Sequence, residues 1–458
     1  MQEESRLGTG SIWKVVLSLA IPTMLAQFVN VLYSIVDRIY IGNMPGNGDL
    51  ALAGVGICGP IVTLLASFGS LVGLGGAPLM AIKLGEQDRK GAKQIVSNSF
   101  ILLSALSVVL TIAVFLLKSN LLRWFGASQT LYSFANEYLT WYAMGTLFSI
   151  LSTGLNSFII CQGFGKIGMF TVMIGAISNI ILDPILIFLC GLGVKGAAIA
   201  TVLSQFFSAA FALKFLFGRY TVIKISFKGY SVKIMRRILL LGLSPFLIIA
   251  TDSIMILALN SILQKYGGAE GDNLIAAATI MLSFMQIVTL PMGGITGGTQ
   301  PVLSYNYGAG SSARVKKGEA CILVICLIFT AVMFLIARFA SVYFVRIFTS
   351  DSKLITMSVK YIHIYTLAII PLAFQYTFVD GLTALGIAPA AISLSLFRKI
   401  AVMMTLTFLL PEFYGAEAVF YAEPIADVVS AFSSSAVFFL LIGKILRKRE
   451  QLLGKLPV

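Results

Sequence analysis

The stretch Asn30-Val31-Leu32-Tyr33-Ser34-Ile35-Val36-Asp37-Arg38-Ile39-Tyr40-Ile41-Gly42 puts an acid inside a long apolar segment that also carries Pro22. An ionisable side chain in such a setting is costly unless it serves a purpose, so Asp37 is a functional candidate from the outset. The surrounding composition explains the setting. Of 458 residues, 58% are hydrophobic and 11% charged, and the mean hydropathy is +0.94. This is too apolar for a soluble domain of that length. Apolar runs of about 20 residues or more, each able to cross a hydrocarbon core of about 30 Å, recur along the whole chain.

Spans are expected at 12–43, 51–80, 92–118, 131–161, 168–190 and 196–218, and again at 236–264, 273–304, 314–340, 355–384, 389–410 and 415–443. The first, at about 1.5 Å per residue, would run to about 48 Å, so it must tilt, bend or project from the bilayer. Pro22 and Pro245 are the expected bending points of the first and seventh helices. The polar segment Met1 to Lys14 leads into an apolar run too long for a signal-peptide core, so the first span is expected to be retained.

The formal net charge of +14 reports topology rather than a polyanionic partner such as nucleic acid. With twelve spans, 22 of the 33 Lys and Arg fall on the side that holds both termini, 8 on the other, and 3 (Arg38, Arg398, Lys399) within spans. The positive-inside bias then predicts a multi-pass protein of the cytoplasmic membrane with both termini in the cytoplasm. Cys58, Cys161, Cys190, Cys321 and Cys326 lie in or beside apolar runs without CxxC spacing, and His363 is the only histidine. Neither a zinc site nor a disulfide framework is expected. HExxH and GxSxG are absent, so no enzyme is expected.

The two halves align at a constant offset. Pro22 meets Pro245, Pro78 meets Pro301, Gly85 meets Gly308, Tyr138 meets Tyr361, Tyr142 meets Tyr365 and Gly163 meets Gly386; after a one-residue slip Gly193 meets Gly415. The fold class expected is all-α and polytopic, with twelve transmembrane helices in two pseudo-symmetric six-helix bundles around a central cleft. The N-terminal lobe takes residues 1–218, a linker 219–235, and the C-terminal lobe with its basic tail 236–458. Six spans is an even number, so an axis along the membrane normal relates the repeats, a geometry suited to alternating access.

Asp37 and Asp183 each lie 15 residues into an outward-running helix, counting from Pro22 and Gly168, and so share a depth. Tyr33 and Asn179 stand one turn before them, and Tyr138 and Thr201 begin spans on the same side. These six residues are expected to form one polar cluster holding a proton or a sodium ion, because two carboxylates in a dry pocket resist double ionisation. The repeat places Asn260 opposite Asp37 and the neighbourhood of Thr405 opposite Asp183, so the acid pair belongs to the N-terminal half. Asp252, Asp380 and Asp427 offer a second cation or substrate site in the other half, with Glu423 nearby. Glu319, beside Arg314 and Lys317, is read as interfacial. The glycines of 69–76 and 293–298 are read as close-packing positions, with a bending point as the alternative. Abundant Phe, Tyr and Met would suit a wall that adapts to many ligands.

Taken together, Pro22…Tyr33…Asp37, Gln162-Gly163-Phe164-Gly165-Lys166, Asn179…Asp183-Pro184, Gly193-Val194-Lys195-Gly196-Ala197-Ala198…Ala200-Thr201 and Glu423-Pro424-Ile425-Ala426-Asp427 resemble the multidrug and toxic compound extrusion (MATE) transporters, especially the bacterial DNA-damage-inducible and staphylococcal-type branch. The resemblance covers essentially the whole chain. It implies two six-helix lobes forming a V and export of organic cations or amphipathic drugs, driven by proton or sodium influx and without a cofactor. It also implies a cation network of Tyr33, Asp37, Tyr138, Asn156, Asn179, Asp183 and Thr201, with sodium at Asp37 and Asp183 as one option. A monomer in the lipid bilayer is expected. A lipid-linked precursor flippase of the same superfamily is the second reading; it would need several arginines in the central cavity, and the early helices offer chiefly Arg38.

Overall fold

The computed structural model describes residues 7–45, 48–125 and 127–454; the first residues of the polar N-terminal segment and the last four of the basic tail lie outside that range. The described chain is nearly all helix, without a β-strand. In chain order the main helices are α1 (Ile12–Gly42), α2 (Gly48–Gly85), α3 (Arg89–Trp124), α4 (Gln129–Met144), α5 (Thr146–Cys161), α6 (Gly165–Leu189), α7 (Gly193–Phe217), α8 (Val232–Gly267), α9 (Gly271–Gly308), α10 (Ser312–Phe339), α11 (Ser352–Tyr365), α12 (Ile369–Ala384), α13 (Ala388–Tyr414) and α14 (Ala416–Leu452). Among the described residues ten helices are long and apolar enough to cross a membrane, and the bent pairs α4–α5 and α11–α12 bring the total to twelve.

Those bends differ from the continuous fourth and tenth spans expected from sequence. The chain turns by 57° between α4 and α5 and by 49° between α11 and α12. At the first break Gly145 packs so tightly on Val202 that a Cβ would collide with it. At Asp183-Pro184 the expected span is unbroken: the α-helix runs through Pro184 and continues as a π-helical turn, Ile185–Leu189. A π turn re-satisfies backbone groups freed near a proline, so Asn179 and Asp183 are held on one continuous helix. α1 and α8 are continuous through Pro22 and Pro245.

The aligned glycines have a local reason. Gly163 has φ +93° and Gly386 φ +77°. Each closes a helix with paired backbone bonds: Gly163 N–H to Ile160 O and Phe164 N–H to Ile159 O in one half, Gly386 N–H to Thr383 O and Ile387 N–H to Leu382 O in the other. This Schellman end needs a left-handed residue, which glycine supplies without strain.

The core positions the two halves. One apolar cluster, from Leu19 and Met80 through Phe158 and Ile295 to Phe378 and Leu446, joins both halves at the end that carries the termini. At the opposite end there are two separate clusters, one in each half, around Ile41 and Tyr138 and around Phe284 and Tyr361. The two bundles are therefore fused at the terminus-bearing end and part toward the other. Small residues permit the fusion. A Cβ on Gly242 would overlap the Leu71 carbonyl, one on Gly308 the Ile82 carbonyl, and one on Gly298 the Thr23 hydroxyl. The glycines of 293–298 thus include close-packing positions of α9 against α1.

Candidate functional site

Asp37 and Asp183 reach each other from α1 and α6, their carboxyl groups within hydrogen-bonding range. Asp183 is fully buried and Asp37 half-buried, while Arg38 is exposed. One turn below Asp183, Asn179 Nδ2 donates to Asp183 Oδ1 at 3.2 Å and approaches Thr201 Oγ1 at 3.5 Å. The Thr201 hydroxyl spends its proton on Ala197 O at 3.0 Å, so toward its neighbours it acts as an acceptor. The buried Tyr138 hydroxyl lies within hydrogen-bonding range of that same oxygen. Tyr33 stands close enough to feel both acids and Tyr142.

The helices that supply this cluster follow from sequence pattern. The i, i+4 spacing of Tyr33 and Asp37 and of Asn179 and Asp183 puts each pair on one helix face, and α1 and α6 pack with those faces together. The arrangement leaves three buried oxygens, Asp37 Oδ1, Asp183 Oδ2 and Asn179 Oδ1, without a hydrogen-bond donor from the protein. Oxygens without donors in an apolar bundle are costly, and a proton or a hard monovalent cation would satisfy them. The residues present therefore fit a small cation.

Of the seven residues expected here, the structure brings together Tyr33, Asp37, Tyr138, Asn179, Asp183 and Thr201. Asn156 is a correction. It sits on α5 near Gly168, where a Cβ would lie 3.1 Å from Asn156 Oδ1. Gly168 is 15 residues before Asp183, about 22 Å along the helix, so Asn156 is beyond reach of the acids. Sequence reasoning noted Tyr142 only as a repeat partner; it stacks on Tyr138 with ring centroids 6.2 Å apart and bonds Ser149 at 3.2 Å. Its spacing of four from Tyr138 was the available signal.

Of the expected grouping of Asp252, Asp380 and Asp427, the structure gathers Asp252 and Asp427 around Tyr365 and Tyr376 and sets Asp380 apart, which corrects its place in that group. Arg398 reaches Asp427 Oδ1 at 2.7 and 3.2 Å and Glu423 Oε1 at 2.7 Å, all three side chains being buried. Lys399 pairs with Asp252. These ion pairs border a cavity of about 150 Å³ that Tyr365, Tyr376, Met255, Met285 and Met403 also line. Asp380 lies elsewhere, near Glu319, Thr296 and Gln300. The missed signal was Arg398-Lys399 itself, two bases inside an apolar span that require acids of their own. Glu319, read from sequence as interfacial, stands two turns into α10 with its side chain covered by protein, 5% exposed.

Comparison with known proteins decides the family. A family model described as MatE matches residues 22–185 and, separately, 246–411. The chain belongs to the MatE family. The two matched segments start at Pro22 and next to Pro245, in step with the internal repeat. Among curated MatE relatives, the multidrug export protein MepA of Staphylococcus haemolyticus is 25% identical over 439 residues, covering 95% of each chain. MepA of Staphylococcus aureus is 23% identical over 432 residues, covering 94% of each. A MATE transporter of the MOP superfamily solved in an outward-facing conformation superposes with a TM-score of 0.89 at 23% identity, covering 96% of this chain and 98% of that one. A MOP superfamily transporter from Pyrococcus furiosus, described as having a binding pocket of reversed polarity, gives 0.89 at 24% identity, again covering 96% and 98%. These structural likenesses give the MatE fold: two six-helix bundles in a multi-span membrane protein.

Proposed function

We propose that this MatE protein is an antiporter of the cytoplasmic membrane that exports organic cations or related amphipathic compounds in exchange for protons or sodium ions. The observation that carries the reading is the contact between the Asp37 and Asp183 carboxyls, with three buried oxygens around them that lack donors. Two facing carboxyls need one cation between them, and taking up or releasing it changes the local charge enough to bias two packings of α1. Names of the relatives, multidrug export proteins, support small-molecule substrates.

The same geometry supports a reading of alternating access. The bundles, taken as residues 1–218 and 236–458 with 219–235 as linker, meet tightly at the terminus-bearing end and part at the other. With both termini in the cytoplasm, this is the outward-facing arrangement, and the carboxyl pair lies in its outer half. The Met- and Tyr-lined cavity beside Asp252 would take the drug, since thioethers and rings adapt to many apolar shapes. The flippase reading is not favoured, because Glu423, Asp427 and Asp252 already match the charges of Arg398 and Lys399.

Ethidium transport in proteoliposomes under separately imposed proton and sodium gradients tests the proposal. Gradient-driven export should be lost in Asp37→Asn and in Asp183→Asn. Full coupling in both variants would overturn the assignment.

A further inference from the structure

The C-terminal half holds a second acid pair that belongs neither to the Asp37 cluster nor to the ion pairs of the cavity. Glu319, two turns into α10, is 5% exposed, and its Oε1 has no hydrogen-bond partner among the described residues. It faces Gly381 of α12, where a Cβ would overlap that oxygen, so the missing side chain is what admits the carboxyl. Asp380, half-buried, is near enough for its charge to act on Glu319 and lies within hydrogen-bonding range of the Thr296 and Gln300 side chains of α9. Thr377, one turn before Gly381 on the same helix face, is 1% exposed, and its hydroxyl meets only the Cys326 thiol, a weak donor within hydrogen-bonding range. Neither carboxyl has an ion-pair partner among the described residues.

The fold does not require acids there. The repeat offset places Val96 opposite Glu319 and Ser157 opposite Asp380, and the N-terminal half packs well with both: Val96 is fully buried, and the Ser157 hydroxyl lies against Gly73. A buried carboxyl and a half-buried one without a base, in a place where the sister bundle uses a valine and a serine, carry a cost that a proton or a bound cation offsets.

We propose that Glu319 and Asp380, with the Thr377 hydroxyl, form a second small-cation site that takes a sodium ion or a proton. It lies in the terminus-bearing half of the C-terminal bundle, since Glu319 is near the start of α10 and Asp380 near the end of α12. The half-buried Asp380 is the way in, and the sealed Glu319 the inner ligand. This site is at the opposite depth, and in the opposite half of the chain, from Asp37 and Asp183.

The test uses the purified full chain in lipid nanodiscs carrying Asp37→Asn and Asp183→Asn, which silence the first site. Radioactive sodium binding and the infrared band of a protonated carboxyl are measured across the neutral pH range. Facing groups that could contribute are Cys326, Thr296 and Gln300; none has a carboxyl band. The expected result is saturable sodium binding, or a carboxyl band that titrates reversibly, with either signal lost in Glu319→Gln. Gly381→Ala, which crowds the carboxyl while leaving its charge, should weaken cation affinity about tenfold. Glu319→Gln alone must keep cation binding at Asp37 and Asp183, which shows that the variant folds. Neither signal in the silenced chain, or both surviving Glu319→Gln, overturns the proposal.

Discussion

Arg449 of α14 places Nη2 2.5 Å from Glu86 Oε1, just past the end of α2, and so ties the last helix of the chain to its N-terminal half. The same guanidinium donates to Tyr307 O at 3.1 Å and Gly308 O at 2.8 Å, and Lys83 reaches Glu86 Oε2 at 2.7 Å. This polar latch closes over the tight glycine contacts at the terminus-bearing end. Replacing Glu86 by Gln should favour the opposite opening by about 1 kcal/mol, roughly a fivefold population change. Spin-label distances across that end, measured with and without the substitution, give the shift; an unchanged distribution would remove the latch.

The latch also predicts a pH dependence. Burial alone would raise the Glu86 carboxyl, but Lys83 and Arg449 outweigh it and hold Glu86 below the ordinary glutamate value of about 4.3. For a depressed acid, the contribution is present above the unfolded-state value and disappears as pH falls through the lower folded one. The same spin-label distances should therefore be constant down to about pH 5 and change only below about pH 4.

Arg398 is the counter-charge for two buried acids. Arg398→Met should lower stability by about 3–5 kcal/mol, because Glu423 and Asp427 are left without compensation. Adding Glu423→Gln and Asp427→Asn should recover much of it. Thermal unfolding of the two proteins in detergent distinguishes the cases: equal melting temperatures would show that the charges are solvated.

Close packing of α1 on α9 gives a matched pair of substitutions. Gly298→Ala drives a methyl into Thr23 and should cost about 1–3 kcal/mol, whereas Gly297→Ala, with nothing within 4 Å, should be close to neutral. Melting temperatures of both variants check this.

The Thr201 hydroxyl accepts from Asn179, which in turn holds Asp183. Thr201→Val removes the acceptor without moving a carboxyl, so cation affinity should fall about five- to tenfold, a loss of about 1 kcal/mol or slightly more. Cation titration of the purified protein, compared with Asp183→Asn, separates a tuned site from a destroyed one.

Much of this protein was legible in its residues. Hydropathy gave the spans because a bilayer forces every backbone group to be satisfied within the segment that crosses it. Pro22 and Pro245, or Gly163 and Gly386, revealed the repeat because each occupies a backbone position that few residues tolerate. Asp37, Asp183, Asn179 and Thr201 could be placed at one depth by counting, since a helix rises at a fixed rate. Counting also sets Asn156 18 residues beyond Tyr138, but nothing in it could place the residue against Gly168.

What counting along helices does not supply is lateral position. Depth puts Asp252, Asp380 and Asp427 all within one bundle, but which helix faces which decides that two of them neutralise Arg398 and Lys399 while the third turns toward Glu319. The sequence by itself determined a twelve-span, twice-repeated membrane fold with acids at set depths, because those properties are local to each helix. Only the tertiary structure decided that Asp37 meets Asp183 and that Glu319 is sealed against Gly381. Both contacts join segments far apart in the chain, through side-chain packing that no single helix encodes.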